Sequence, residues 1–188
     1  TPEPEPGPGD DDTGSLACYA INKVKLHRHH MENKDALFIK HAGFRLPEGA
    51  IVDLEQEDIS ITIDGKVYEF PAGTFKQTDD GMHYVYKTAP SVKPQMMVSV
   101  DFKNSKWSLK LIHINSEFVD NSDGVDIALS IGDYTGSENV YLESKNKHDN
   151  MLMFKRKPKS SCSIRHYKDD GTKKAKKDKN NADKRKRS

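Results

Sequence analysis

Hydrophobic and polar residues alternate along three neighbouring stretches in the middle of the chain. Residues 97–102 (MVSVDF) and 107–112 (WSLKLI) alternate on either side of the polar turn 103–106, and residues 125–131 (VDIALSI) alternate after a cluster of turn residues. Period-2 alternation bounded by turn residues is typical of half-buried antiparallel strands. These stretches predict the centre of a β-sheet, and we expect the single tryptophan, Trp107, to anchor its core.

The same alternation recurs on both sides of Asp64-Gly65, within residues 58–70 (DISITIDGKVYEF). Asp-Gly is favoured in two-residue type I′ hairpin turns, because both central residues need φ > 0. Turn signals recur along the chain at intervals of roughly 8–14 residues, which is typical of sandwiches and barrels. The sequence therefore predicts an all-β antiparallel β-sandwich, Ig-like or jelly-roll-like. Further strands are predicted at 18–27, 36–44, 82–87, 140–142 and 151–154.

The two ends of the chain differ in composition from this patterned middle. Residues 1–16 predict an acidic, Pro/Gly-rich leader or linker, residues 17–156 the sandwich, and residues 157–188 a basic low-complexity tail; both ends are expected to be extended. The net charge of +1 conceals an asymmetry, since residues 155–188 carry 15 Lys/Arg against 4 Asp/Glu and residues 1–154 carry 15 against 25. A net +11 tail beside a net −10 body can attract polyanions or a neighbouring copy.

Cys18 and Cys162 lie just outside the two ends of the patterned region. Two free thiols could be placed there by chance, and two isolated cysteines make a poor metal site. A disulfide between them would tie the first strand to the last and close a loop of about 145 residues, worth about 4–5 kcal/mol in the chain-entropy account. We predict the disulfide, which favours an extracellular, cell-surface or periplasmic location. No apolar run reaches the roughly 18–20 residues of a membrane span.

Four short motifs occur one after another within the patterned middle of the chain. They read Leu-Pro-Glu-Gly at 46–49, Phe-Pro-Ala-Gly-Thr-Phe at 70–75, Asp-Phe-Lys-Asn-Ser-Lys-Trp at 101–107 and Ile-Gly-Asp at 131–133. In these turns and the strands around them, the chain resembles an Ig-like β-sandwich module of secreted and cell-surface bacterial proteins. The resemblance covers about residues 25–143. It implies a sandwich fold and an envelope or extracellular setting, and it implies no catalytic residues.

Histidines near the predicted first hairpin are candidate metal ligands. His27 and His29 would share one face of a strand, and His41 could approach from the partner strand. Neutral imidazoles in such an arrangement can hold Zn²⁺ or Cu²⁺. A solvated hairpin tip, which would also contain His30, explains the same residues without a metal.

An oxygen-rich stretch contains the second candidate metal site, formed by Asp120, Asp123 and Asp126. Calcium is an option there, although the EF-hand spacing and its distal Glu are absent and turn chemistry alone explains the cluster. No cofactor is required. The chain contains no G-x-S-x-G, no H-E-x-x-H and no Gly-rich phosphate loop, so we expect a protein that is not an enzyme.

The charged ends supply the functional hypotheses. The basic tail can neutralise phosphates or sulfates, although no aromatic residue after Tyr167 supports base stacking, and a merely solubilising tail is the plain alternative. We expect a non-enzymatic extracellular structural or adhesive subunit that self-assembles, as a filament or surface layer, through edge strands and these termini. The alternative is a module that binds nucleic acid or acidic polysaccharide through its tail. The candidate contacts are Lys173, Lys174, Lys176, Lys177, Lys179, Lys184, Arg185, Lys186 and Arg187, with Glu3, Glu5, Asp10, Asp11 and Asp12 as the complementary acidic segment.

Overall fold

The computed structural model describes residues 14–78, 81–146, 148, 150–157 and 162. These residues form strands and no helix, so the all-β prediction is confirmed, and none of them belongs to a helix that could cross a membrane. The strands are β1 (Gly14–Ser15), β2 (Cys18–Ala20), β3 (Lys23–His27), β4 (Asp35–Arg45), β5 (Ile59–Ile63), β6 (Lys66–Phe70), β7 (Lys76–Gln77), β8 (His83–Lys87), β9 (Gln95–Asp101), β10 (Lys106–Ile114), β11 (Val125–Ile131), β12 (Tyr134–Val140), β13 (Glu143–Ser144) and β14 (Met151–Lys155).

Two sheets pack against each other and confirm the predicted sandwich. The smaller sheet has five strands in the order β1-β12-β11-β5-β6. The larger has nine, in the order β13-β14-β3-β4-β10-β9-β8-β7, with β2 also paired to β4. All described pairings are antiparallel except that of β1 with β12.

The core lies between the sheets and is built from alternate residues of their strands. The smaller sheet contributes Ile59, Ile61 and Ile63 of β5 and the matching isoleucines and leucine of β11. Trp107 is 2% exposed and stacks on Tyr19 with ring centroids 6.2 Å apart, so it lies in the core as predicted. The alternation in the sequence therefore marks the inner face of each of these strands.

One predicted turn is found in the structure, whereas one predicted strand is divided into two. Asp64 and Gly65 have φ of 46° and 76°, as the predicted two-residue turn requires. The predicted strand 18–27 is instead two strands, β2 and β3, which pair with different parts of β4. The break falls where β4 bulges at His41 (φ 57°), whose carbonyl accepts a hydrogen bond from the side chain of Asn22.

One predicted strand needs correction. The stretch 140–142 was expected to be a strand, but β12 ends at Val140, and Tyr141 is 60% exposed. The actual strand, Tyr134–Val140, lacks an apolar alternation because two of its inward positions are Gly136 and Glu138. A Cβ at Gly136 would lie 2.8 Å from Tyr19, so only glycine fits beneath that ring.

Candidate functional site

Cys18 and Cys162 form the predicted disulfide, with Cα atoms 5.3 Å apart and a sequence separation of 144. Cys162 packs against the outer side of β4, where a Cβ added to Gly43 would lie 2.9 Å from its own Cβ. Gly43 is the cross-strand partner of Lys106 in β10. The disulfide therefore holds Cys162, the residue before the segment 163–188, on the outer surface of the nine-stranded sheet.

The candidate histidines are not brought together. His27 is the partner of Ala36, whereas His41 lies just beyond the Lys23–Lys40 pair at the other end of β3 and β4. Five residues along a strand separate the two levels by about 16 Å. The expectation that His41 approaches His27 from the partner strand is therefore wrong. Among the residues that the structure describes, no three His, Cys, Asp or Glu side chains are grouped to hold a metal ion.

The aspartates of the calcium candidate are held by protein groups. The Asp64 carboxylate accepts hydrogen bonds from the backbone N–H groups of Asp120 and Asp126, both at 2.8 Å. Asp126 in turn accepts from Nδ2 of Asn139, while Asp123 lies exposed on the same loop. The loop is thus explained by its hydrogen bonds, and calcium binding there stays a prediction.

Asp35 is a buried carboxylate with a structural role. It accepts hydrogen bonds from the N–H of His29 at 2.6 Å and from the N–H and Oγ of Ser116 at 3.1 and 2.5 Å. Burial raises its pKa, but these hydrogen bonds outweigh that effect and hold the pKa below its usual value. These hydrogen bonds therefore favour the ionised form of Asp35, and they connect the hairpin tip to the turn after β10.

The basic tail residues and the acidic leader residues that were predicted as contacts lie outside the described residues. This holds for Lys173, Lys174, Lys176, Lys177, Lys179, Lys184, Arg185, Lys186, Arg187, Glu3, Glu5, Asp10, Asp11 and Asp12.

Lysines gather on the outer surface of the nine-stranded sheet, and we call this group the lysine face. They point away from the core because at least one residue directly before or after each of them is buried or packed against the core. The lysine face comprises Lys23 and Lys25 of β3, Lys40 of β4, Lys76 of β7, Lys87 of β8, Lys106 and Lys110 of β10, and Lys155 of β14.

Strand register aligns members of the lysine face in rows across the sheet. In one row, Lys25 is opposite Phe38, Phe38 is opposite Lys110, Lys110 is opposite Met97, and Met97 is opposite Lys87. Phe38 is half-buried and Met97 is 36% exposed. Lysines and apolar side chains therefore alternate along this row, which we call the alternating row.

A second row places three lysines on adjacent strands. Lys155 is opposite Lys23, and Lys23 is opposite Lys40. The Lys40 ammonium also lies 5.6 Å from the centroid of the Phe38 ring, a cation–π distance that joins the two rows.

The lysine face carries a net positive charge within the described part of the chain. The two ion pairs found there are Lys145–Glu143 and Arg156–Glu138, and neither includes a member of the face. By register, the acidic residues on this surface are Asp101, the cross-strand partner of Lys106, and Glu143, at the β13 edge. Like charges collected in this way produce a positive field in front of the sheet.

The pKa of His27 is affected by this positive field, because His27 lies on the same surface as the lysines. Its ring meets the edge of Phe38 with centroids 6.1 Å apart. Burial lowers the pKa of His27, and the positive charge of Lys25 and the neighbouring His29 lower it further. These effects favour the neutral imidazole over the imidazolium beside the lysines.

A cavity of about 150 Å³ opens at one end of the lysine face. Lys87 and Lys110 line it together with Thr88, Gln95 and Met97. The Gln95 side chain is fixed by donating to the carbonyl of Pro90 at 2.8 Å. The cavity thus combines two cations with hydrogen-bonding and apolar groups.

The outer surface of the smaller sheet has a different character. Cross-strand partners there carry small, mostly hydroxyl side chains, namely Ser60, Thr62, Ala128, Ser130, Thr135 and Ser137. The two outer surfaces of the sandwich are therefore chemically distinct, and the lysines lie on one of them.

Sequence reasoning did not predict the lysine face, although part of its signal is visible. Lysine occupies outward positions next to apolar residues in KVKL (23–26), LFIK (37–40) and LKLI (109–112). The alignment into rows depends on register, which the bulges at His41 and His113 alter and which alternation alone does not reveal.

Comparison of the chain with protein-family models, with curated proteins and with solved structures finds no match. The resemblance of residues 25–143 to an Ig-like module stays a prediction.

Proposed function

We propose that this protein is a binding module, acting outside the cytoplasm, that holds an anionic polymer on its lysine face. The observation that carries the proposal is the set of aligned lysines on one outer surface, none of which belongs to an ion pair among the described residues, in a body whose residues 1–154 carry a net charge of −10. Binding many acidic groups at once releases condensed counterions, which gives affinity without a deep pocket. The disulfide supports the extracellular setting.

The disulfide brings the residue that precedes the basic 163–188 segment next to the lysine face. Cys162 lies on the outer side of Gly43, next to Lys106, and the 163–188 segment that follows it contains most of the tail's positive charge. A polymer on the lysine face would therefore meet the origin of the basic tail. The tail contacts predicted from the sequence are an extension of this proposal.

The test compares charge-matched variants of the full chain. Lys25, Lys87 and Lys110 are replaced together by Gln, and the control replaces the exposed Lys34, Lys66 and Lys103, which lie outside the lysine face. Binding to immobilised dextran sulfate is measured from 50 to 300 mM NaCl. At about 0.2–1 kcal/mol per exposed pair, the face variant should bind about 3- to 150-fold more weakly.

The salt dependence gives a second readout, because each lost contact reduces the slope of log K against log[salt] by roughly one. The face variant should show a slope smaller by two to three, while the control keeps the original slope. Equal losses in both variants would show that net charge alone matters. Loss of binding only when residues 169–188 are deleted would assign the activity to the tail.

A second candidate function is self-assembly, and the edge strand β6 favours it. The other described sheet edges end in the two-residue strands β1, β7 and β13, whereas β6 has five residues and is paired only with β5. Val67 on this edge is 52% exposed. An open edge of this kind can accept a strand from another copy.

Val67→Lys tests this second function because a lysine on an edge strand opposes edge pairing without disturbing the β5 ladder. Sedimentation velocity on the full chain should show oligomers that this variant loses and that a Thr135→Lys variant on the outer surface keeps. A monomeric parent chain at all concentrations would remove this candidate.

A further inference from the structure

We infer that the alternating row is a track for an acidic polysaccharide that carries one charged group on every second sugar. The inference rests on the proposed function and names the class of polymer. Lys25, Lys110 and Lys87 lie on β3, β10 and β8, and each is separated from the next by one intervening strand. With strands about 4.8 Å apart, the Cα positions of these lysines repeat at about 10 Å along the row.

This repeat suits a sugar chain that crosses the strands. One sugar unit of an extended chain spans about the same length as one inter-strand spacing. A polymer with an acidic group on alternate sugars therefore presents a charge to each lysine of the row, whereas one with an acid on every sugar leaves half of its charges opposite Phe38 and Met97. The register thus favours the alternating polymer by charge complementarity.

The apolar members of the row fit the uncharged sugars. Phe38 presents a half-buried ring between Lys25 and Lys110, and Met97 fills the next gap. The carbon-bound hydrogens on the face of a sugar ring can pack against such side chains and exclude water from the neighbouring ion pairs. Contacts of this kind do not weaken with salt, in contrast to the lysine contacts.

A nucleic acid fits this surface less well. In a duplex, each strand places one phosphate per about 3.4 Å of helix axis, roughly one third of the lysine repeat. Single strands are held by series of stacked aromatic side chains, and Phe38 is the aromatic side chain of the alternating row.

The cavity at the end of the track gives the row a defined end. Lys87 and Lys110 border it, and the hydroxyl of Thr88 and the amide of Gln95 line its wall. At about 150 Å³ it is roughly ten times the size needed to hold one water molecule. One substituent of a sugar, such as a carboxylate or an acetamido group, can enter it from the track.

The test measures binding of the full chain to four oligomers with calorimetry at 150 mM NaCl. The first probe is a hyaluronan oligosaccharide, which carries one carboxylate per two sugars. The second is an oligogalacturonate, which carries one carboxylate per sugar and is cut to the same total number of carboxylates. The others are a neutral chitin oligomer and a thymidine oligonucleotide of matched charge. We expect hyaluronan to bind at least tenfold more tightly than the other three. Met97→Ser and, separately, Phe38→Ser should remove this preference while leaving weak, salt-sensitive binding of all three anions.

A matched triple variant separates the row from the rest of the face. Replacing Lys25, Lys87 and Lys110 by Gln should abolish the hyaluronan preference, and replacing Lys23, Lys40 and Lys155 should weaken all three anions by the same factor and preserve it. If all anions bind the parent chain equally, or the oligonucleotide binds best, the spacing inference is wrong and the proposed function stands. Absence of binding to every probe, and to dextran sulfate, would overturn both.

Discussion

Arg156→Met should destabilise the sandwich substantially, because Arg156 neutralises an acidic residue on the inner side of β12. The guanidinium donates to Oε1 and Oε2 of Glu138 at 2.6 Å each, and Oε2 also accepts from the N–H of Ile21 at 2.7 Å. The N–H of Arg156 donates to the carbonyl of Asn22 at 3.0 Å. This pair therefore joins the last strand of the larger sheet to β12 of the smaller one.

The magnitude follows from the exposure of the pair. Removing one member of a fully buried ion pair costs about 3–5 kcal/mol, whereas an exposed pair contributes about 0–1. The side chains of Arg156 and Glu138 are 24% and 19% exposed, so the cost should lie below the buried range, at about 2–3 kcal/mol. For a domain of about 140 residues, the unfolding entropy of about 0.3 kcal/mol/K converts this into a Tm lower by about 7–10 °C.

Thermal unfolding followed by circular dichroism at pH 7 measures this shift. Lys155→Met is the matched control, since it removes the same charge from the preceding, exposed residue. Glu138→Gln and the double variant complete a cycle, in which the two single losses should sum to more than the loss in the double variant. A Tm within 2 °C of the control would refute the reasoning that the ion pair joins the sheets.

Three further predictions follow from the described contacts. Replacing Cys162 by Ser should lower the free energy of unfolding by about 4–5 kcal/mol in the chain-entropy account, measured by urea denaturation, because the loop back to Cys18 is then open. Asp35→Asn should cost about 1–3 kcal/mol at pH 7. Since the folded pKa of Asp35 is lowered, its stabilisation is complete above the unfolded value of about 3.9 and is lost as the pH falls through the folded pKa, so the variant should also show a flatter acid limb. The His27 pKa, followed by NMR, should rise in Lys25→Gln and when an anionic polymer binds, because each change makes the imidazolium more favourable.

Each of these measurements has its own control. Reducing agent should reproduce the loss seen in the cysteine variant and leave that variant unchanged. Asp123→Asn removes an exposed carboxylate and is the control for Asp35→Asn. If its plot of stability against pH keeps the slope of the parent chain at acid pH, the effect of Asp35 is separated from a general charge effect. A His27 pKa that stays constant on adding dextran sulfate would place the polymer away from the lysine face.

The sequence was sufficient to predict strands and turns where apolar residues alternate and the turn depends on neighbouring residues alone. The hairpin around Asp64-Gly65 and the strands that carry Ile127 and Leu109 were predictable, because their inward positions are all large and apolar. The disulfide was predictable because the two cysteines bracket the patterned region.

Features that depend on tertiary contacts were not predictable from pattern. Strand β12 has Gly136 at an inward position, beneath Tyr19, and Glu138 at another, opposite Arg156, so its alternation is concealed. The proposed His27–His41 proximity failed because the register is set by a long hairpin tip, which places Ala36 rather than His41 beside His27. The lysine face was missed for the same reason, since its rows exist only once strands from distant parts of the chain are aligned.

Salt separates the two candidate functions in a single sample. Polymer binding to the lysine face depends on released counterions, so its affinity should fall by at least tenfold between 50 and 300 mM NaCl. Edge pairing through β6 would rest on backbone hydrogen bonds and contacts of Val67, which screening of exposed charges affects little. Oligomers that persist at 300 mM while the polymer dissociates would mean that assembly and polymer binding use separate surfaces, and joint loss of both would mean that charged segments hold the oligomer together.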